Sequence, residues 1–301
     1  MVKRGRETAI FYLFISPWLV GLAVLFVVPI GTSLYYSLTS WNMVGSPEFV
    51  GLANYRELVR IDPRFWRVMY NTAFYTLLQV PIMLLISFVV AVMLNQNLRG
   101  RRFFRGVIYV PSVLPVVVLA LVFVQFFKPN VGMVNRLLAL VGIDGPNWLQ
   151  STVWAKPALI VMSLWRIGLG VVLLLAAMQG IPKELFEMAE LEGAGRVQTS
   201  ARITLPMVSP VVFYVLITGM INALKTFTEV QVLTGGGPNY ASQLIVPYII
   251  ENAFTFFRFG YANAISWILF VIVVVFTLFI VRRSEAFVHY ESEVRKNGKA
   301  R

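Results

Sequence analysis

Six apolar stretches, each close to the length of a bilayer-crossing helix, recur along the chain and are parted by polar segments that hold nearly all of its charge. Ile10 to Ile30, extensible to Tyr36, is the first; Thr72 to Leu94, Gly106 to Phe127, Pro157 to Met178, Pro206 to Leu224 and Tyr261 to Val281 follow. A helix needs about 20 apolar residues to cross the hydrocarbon core. The pattern predicts an all-α polytopic membrane protein with six transmembrane helices in residues 10–282, and tails at 1–9 and 283–301. The first stretch is longer than a signal-peptide core and lacks a small-residue cleavage site, so it is expected to stay as a helix.

The connecting segments are not all simple turns. Residues 40–70 hold "FVGLANYREL" and "DPRFWRVMYNT", whose Trp and Tyr suit a helix lying along the membrane interface. Residues 233–260 hold "LTGGGPN" and then "LIVPYIIENAFTFF". The latter is short, broken by Pro247 and carries Glu251, which favours an outward-facing or partly re-entrant helix over a seventh span. There is no internal repeat.

Lys and Arg set the orientation. Sixteen lie in the two tails (counting the adjoining Arg282), in the 95–105 link and in the 182–205 loop, against eight in the opposite loops. The positive-inside rule then puts both termini and the 182–205 loop in the cytoplasm. The net charge of +12 raises nucleic acid as a partner, but the basic residues cluster at the ends of apolar segments, where they anchor a membrane protein. Composition agrees: 58% of residues are hydrophobic and 13% charged, against about 25% charged in a soluble domain. With no cysteine, disulfides, iron–sulfur clusters and thiolate zinc sites are excluded. The single histidine, His289, reads as a solvated tail residue, so no metal site is expected.

One polar segment stands out. Four of the fourteen acidic residues, Glu184, Glu187, Glu190 and Glu192, fall within nine positions of the 182–205 loop. Pro182 fits the first position of a helix, where its missing N–H costs nothing, and acids in a first turn are favoured by the helix dipole. Gly193 and Gly195 offer a stop. "KELFEMAELE" therefore predicts a short helix, and "RVQTSARI" a second one before Pro206 opens the fifth span. Such a run of acids fits a solvated face. Leu185, Phe186, Met188 and Leu191, in a loop with little core to cover them, favour a helix that is greasy on one side and acidic on the other and docks in a basic groove of another protein.

The same residues resemble the cytoplasmic loop of binding-protein-dependent ABC importer permeases. That signature begins Glu-Ala-Ala, continues through an acid-Gly-Ala and ends Ile-x-Leu-Pro-x-x-x-Pro. Here it reads Glu187-Met188-Ala189, Glu192-Gly193-Ala194, then Ile203, Leu205-Pro206 and Pro210 at the same spacing. Met188 replaces the middle alanine, and Ser200 stands where an aromatic is common. "FVGLANY", "VPSVLP", "VLTGGGPN" and "FRFGYANAIS" are similar to sugar-type permeases, and "LTGGGP" points to the maltose/glycerol-3-phosphate-like half of the permease pair.

The resemblance implies a type I ABC importer permease fold. It implies a second homologous permease subunit, two copies of a cytoplasmic ATPase, an extracytoplasmic solute-binding protein and a sugar or related polar solute, in the plasma membrane of a prokaryote. It makes the loop a coupling helix seated in a cleft of the ATPase, with Glu187, Ala189, Glu192, Gly193, Ala194, Leu205 and Pro206 as the contact and lever residues. The chain has no G-x-x-x-x-G-K-[ST] phosphate loop, so ATP and Mg belong to the partner ATPase and this chain is not itself an enzyme.

Polar residues within the spans are candidates for a solute path. Arg166, about midway along the fourth span, fits either a solute contact or a buried ion pair. Lys225 sits where it can snorkel to an interface. Asn222 fits a sugar hydroxyl or a neighbouring helix, Ser112 a solute or a carbonyl freed by Pro111 and Pro115, and Trp165 sugar stacking or packing. An arginine suits an acidic or phosphorylated solute, a claim that one residue does not carry. An ion-gradient-driven secondary transporter is the alternative, but it would usually bring repeats and buried carboxylates, and the six spans contain no Asp or Glu. A membrane enzyme lacks a catalytic set, and a non-transporting receptor leaves the loop unexplained.

Overall fold

The computed structural model describes residues 2–96 and 99–284. His289 and most of the expected 283–301 tail lie outside the described residues. The first helix, α1 (residues 2–37), joins Val2–Leu22 to Val28–Ser37 through a π-turn at Ala23–Val27. It thus runs further at both ends than the apolar pattern alone indicated. Two short strands, β1 (Thr39–Ser40) and β2 (Glu48–Phe49), pair antiparallel with Thr39 opposite Phe49. Then come α2 (Ala53–Arg60), α3 (Pro63–Asn95), α4 (Arg101–Val113), α5 (Val116–Phe126) and α6 (Met133–Leu140). These are followed by α7 (Ala155–Leu164), α8 (Gly168–Gln179), α9 (Lys183–Leu191), α10 (Arg196–Met207) and α11 (Ser209–Leu224). Last are α12 (Thr228–Leu233), α13 (residues 245–255) and α14 (Phe259–Ser284).

Among the described residues, three helical stretches are alone long and apolar enough to cross a membrane: Ile10–Ser37, Pro63–Asn95 and Phe259–Arg282. The other three expected spans are bent pairs. α4 and α5 meet at 101°, α7 and α8 at 44°, and α10 and α11 at 74°. The expected interfacial helix at "DPRFWRVMYNT" is instead the opening of α3. The helix expected near 240–257 is α13, eleven residues and so too short to cross.

The breaks have local causes. Leu114 precedes Pro115 and is extended (φ −65°, ψ 141°), because a residue before proline is pushed out of the helical region. Pro111 removes a further ladder donor. The α7–α8 break has no proline. There the Trp165 and Arg166 N–H groups bond three residues back, to Met162 and Ser163, tightening the turn. Gly168 then lets α8 lie against α4: a Cβ at that position would come within 2.5 Å of the Ile108 carbonyl oxygen.

The chain divides into two compact units, residues 1–63 with 248–270, and residues 64–247 with 271–301. In the first, α1 leaves large apolar side chains such as Leu13 and Phe14 exposed, as suits a lipid-facing or partner-facing helix. Asn54 of "FVGLANY" donates to the Ser37 and Thr39 carbonyls, both at 2.9 Å. Gly260 passes so near the Thr39 carbonyl that no side chain fits there. Asp62 accepts from the hydroxyls of Tyr248 and Tyr261. Burial and the bond to Asp62 push the Tyr248 hydroxyl up to about 12.

Two apolar clusters stand out among the described residues of the second unit. One gathers Tyr75, Val80, Leu119, Phe123, Leu159 and Met162; the other gathers Ala91, Leu94, Val171, Leu174, Met178 and Val208. α3 runs through both, whereas α7 serves the first and α8 the second. The break at residues 165–167 thus falls between two separately packed halves.

Candidate functional site

Two places carry the polar chemistry of the second unit, the loop of residues 182–208 and a cavity between the helices. In the loop, Pro182 is the cap and not the first helical residue: it is extended (φ −56°, ψ 134°) and α9 starts at Lys183. The far end of α9 closes as a Schellman motif. Gly193 is left-handed at φ +76°, its N–H bonds the Glu190 carbonyl at 3.0 Å, and the Ala194 N–H bonds the Ala189 carbonyl at 2.9 Å. The acid-Gly-Ala triplet is therefore a helix stop, with glycine at the one position that requires a positive φ. Gly195, extended, caps α10.

α9 has two unlike faces. Leu185, Phe186 and Ala189, with Ile181 just before the helix, turn inward, and Leu185 and Phe186 pack against the Leu94, Leu174 and Met178 cluster. Glu184, Glu187, Met188 and Leu191 share the outward face; Met188 is 58% and Leu191 89% exposed. The outward face is thus mixed acidic and apolar, not purely acidic as the sequence suggested. Among the described residues no ion pair engages its glutamates.

Pro206 does not open the straight limb of the fifth span. It lies within α10, which carries a π-turn at Ser200–Thr204, and the second limb of the bent pair, α11, begins at Ser209 with Pro210 in its first turn. The residue that fixes the corner is Val208, 1% exposed in the cluster of Leu94 and Met178. Neighbouring Leu205 is 41% exposed and, with Val197, Ser200 and Phe88, lines an apolar groove of about 580 Å³. The sequence showed the prolines but not this valine, because an isolated Val in an apolar context carries no periodic signal.

The cavity, about 640 Å³, is walled by α3, α11, α12 and the broken helices. It brings together four of the five solute-path candidates, Ser112, Arg166, Asn222 and Lys225. Arg166 sits at the α7–α8 break and not within a helix. Ser112 Oγ donates to the Arg166 carbonyl at 3.2 Å, a backbone oxygen that the break set free. Asn222, in the last turn of α11, and Lys225, its C-cap, are both exposed on the cavity wall. Trp165 is not on that wall. It is 54% exposed and edge-packed on Phe123 at 5.8 Å.

Further polar side chains belong to the cavity. Glu229 of α12 lies 3.6 Å from Arg166, although in the sequence it fell in a connecting loop. Tyr75 and Ser163 are joined by a 2.5 Å hydrogen bond. Since the Ser163 hydroxyl donates to the Leu159 carbonyl, Tyr75 is the donor. Gln79 is 7% exposed, and its Oε1 has no hydrogen-bond partner among the described residues. Within an apolar run it gave no signal beyond being polar.

The second unit thus holds a polar cavity at the helix breaks and, apart from it, a packed-down loop helix with an exposed face that mixes acidic and apolar side chains. The model for the "binding-protein-dependent transport system inner membrane component" family matches residues 63–287. The chain belongs to that family. A probable ABC transporter permease protein of Bacillus subtilis (strain 168), YesP, is 35% identical, over 94% of this chain and 92% of its own length. The sn-glycerol-3-phosphate transport system permease protein UgpA of Yersinia pestis is 32% identical, over 93% and 95%. The trehalose/maltose transport system permease protein MalF of Thermococcus litoralis is 30% identical, over 91% and 92%. A solved chain of a bacterial ABC transporter involved in the import of the acidic polysaccharide alginate superposes with a TM-score of 0.81 at 23% identity, covering 95% of this permease and 99% of that chain. The permease is thus a multi-pass membrane protein with the type I importer fold.

Proposed function

We propose that this permease forms half of the translocation pathway of an ATP-driven importer for a sugar or related polar solute. It couples to a separate ATPase through the 182–205 loop. The observation that carries the reading is the outward face of α9: Glu184, Glu187, Met188 and Leu191 exposed on a helix whose other side is packed down. A mixed apolar and acidic face on a held helix suits a groove with basic residues, and a carboxylate–cation contact is stronger than a neutral hydrogen bond.

In this reading the loop and both termini face the cytoplasm of a prokaryotic cell, as the Lys and Arg bias favours. Two copies of the ATPase bind ATP and Mg, one under this chain and one under a second, homologous permease. A solute-binding protein delivers the solute from outside. Closure of the ATPase pair moves α9. The Schellman stop at Glu192-Gly193-Ala194 and the Leu205-Pro206-Val208 corner pass that displacement to α11 and, through the shared cluster, to α3 and α8. The cavity lies where α7 and α8 separate, so tilting one half against the other changes its access. Relatives named for glycerol-3-phosphate and for trehalose/maltose support a sugar-like solute.

The test is reconstitution in proteoliposomes. ATP-dependent uptake is expected only when ATPase, both permeases and binding protein are present, and the chain alone should hydrolyse no ATP. Uptake without the ATPase, driven by an ion gradient, would replace this reading with a secondary transporter.

A further inference from the structure

We infer that the cavity is built for a solute that carries an anionic group, a carboxylate, phosphate or sulfonate, docked between Arg166 and Lys225. This rests on the importer reading and names the solute class of that site.

Three charged side chains line the cavity, Arg166, Lys225 and Glu229, two cations against one carboxylate, for a net charge of +1. The lone carboxylate does not use up the arginine. At 3.6 Å Glu229 lies beyond hydrogen-bond reach of the guanidinium, and Arg166 Nε is buried with no acceptor among the described residues. A buried donor without an acceptor is costly, and a planar fork of N–H groups is satisfied best by two oxygens of one anion. Lys225 is exposed on the same wall, and neither an ion pair nor a side-chain hydrogen bond engages its ammonium among the described residues.

The rest of the wall suits hydroxyls. Gln79 Oε1 is a buried acceptor without a donor, and the Asn222 amide is exposed on the wall to donate or accept. An anion at Arg166 and Lys225 with hydroxyls toward Gln79 and Asn222 describes a sugar acid or sugar phosphate. In a low-dielectric cleft an excess of one charge sign concentrates ligands of the opposite sign. Glu229 is near enough to hold the guanidinium in place and too far to accept its hydrogen bonds.

The chain has no cysteine, so one introduced thiol reports on the cavity. Asn222→Cys, in membranes holding the assembled importer, is treated with methanethiosulfonate reagents bearing either a sulfonate or a trimethylammonium group. Labelling is read as the mass shift of this chain and normalised to a free thiol. The sulfonate reagent is expected to react ~10-fold faster. That preference should collapse in Arg166→Gln and Lys225→Gln, survive in Arg166→Lys, and grow in Glu229→Gln. Glucuronate should protect the thiol and its neutral methyl ester should not. A preference of unity or below, a preference unmoved by Arg166→Gln and Lys225→Gln, or protection that is equal for acid and ester or absent with both overturns the inference. ATP hydrolysis by the same complex, stimulated by its binding protein, reports on the importer reading separately.

Discussion

The two loops that flank α11 are held in opposite ways. On one side, residues 182–208 are fixed by apolar contacts and backbone geometry. Ile181, Phe186 and Val208 fill a cluster with α3 and α8, Gly193 closes α9, and the acidic side chains are left exposed. On the other side, residues 240–245, just after "LTGGGPN", are sewn to α3 by polar side chains. Asn71 donates to the Tyr240 and Gln243 carbonyls at 2.9 and 3.1 Å and accepts from Lys156 Nζ at 3.0 Å. Arg64 reaches Gln243 Oε1 at 2.9 Å and covers the Tyr240 ring. Thr72 accepts from the Ile245 N–H. A segment whose polar groups are satisfied internally is frame. A segment whose backbone is fixed while its charges stay exposed has the form of a docking surface, the role proposed above for α9.

Substitutions can break the comparison, and thermal unfolding of the purified permease in detergent measures them. Asn71→Ala should have the largest effect. The residue is 1% exposed, and its loss takes a hydrogen bond from the Lys156 ammonium and from each of two carbonyls, a cost of about 2–4 kcal/mol. Phe186→Ala comes next at roughly 1–3 kcal/mol, below the range for a fully buried phenylalanine because the ring is only partly covered. Gly193→Ala should cost about 1 kcal/mol, since alanine resists the positive φ that the Schellman stop requires. Glu187→Lys should leave the melting temperature within the range of surface changes, about 0.5 kcal/mol either way. If instead Glu187→Lys destabilises as much as Asn71→Ala, the two loops are alike and the acids belong to the fold.

Much of this was legible in the sequence, and what was missed has a shared cause. The six apolar runs, the stop at Gly193 and the proline break near Ser112 are written in local chemistry, and each stands close to where the residues put it. The break at Trp165–Ile167 was not legible, because it depends on Gly168 meeting the Ile108 backbone of another helix. Glu229 read as a loop residue until α12 brought it to Arg166. Which face of α9 turns inward was likewise undetermined, since Leu185, Met188 and Leu191 are equally apolar and only the anchors Ile181 and Val208 decide among them. Contacts between distant segments, not propensity, set these features.

The outward face of α9 is the point on which the coupling mechanism stands, and a charge reversal there tests it. In the reconstituted importer, Glu187→Lys should fold as the wild type does, yet lose at least ~10-fold in capture of the ATPase and lose ATP-driven uptake. Uptake at the wild-type rate by that variant, with the ATPase still bound, would contradict a coupling role for the loop.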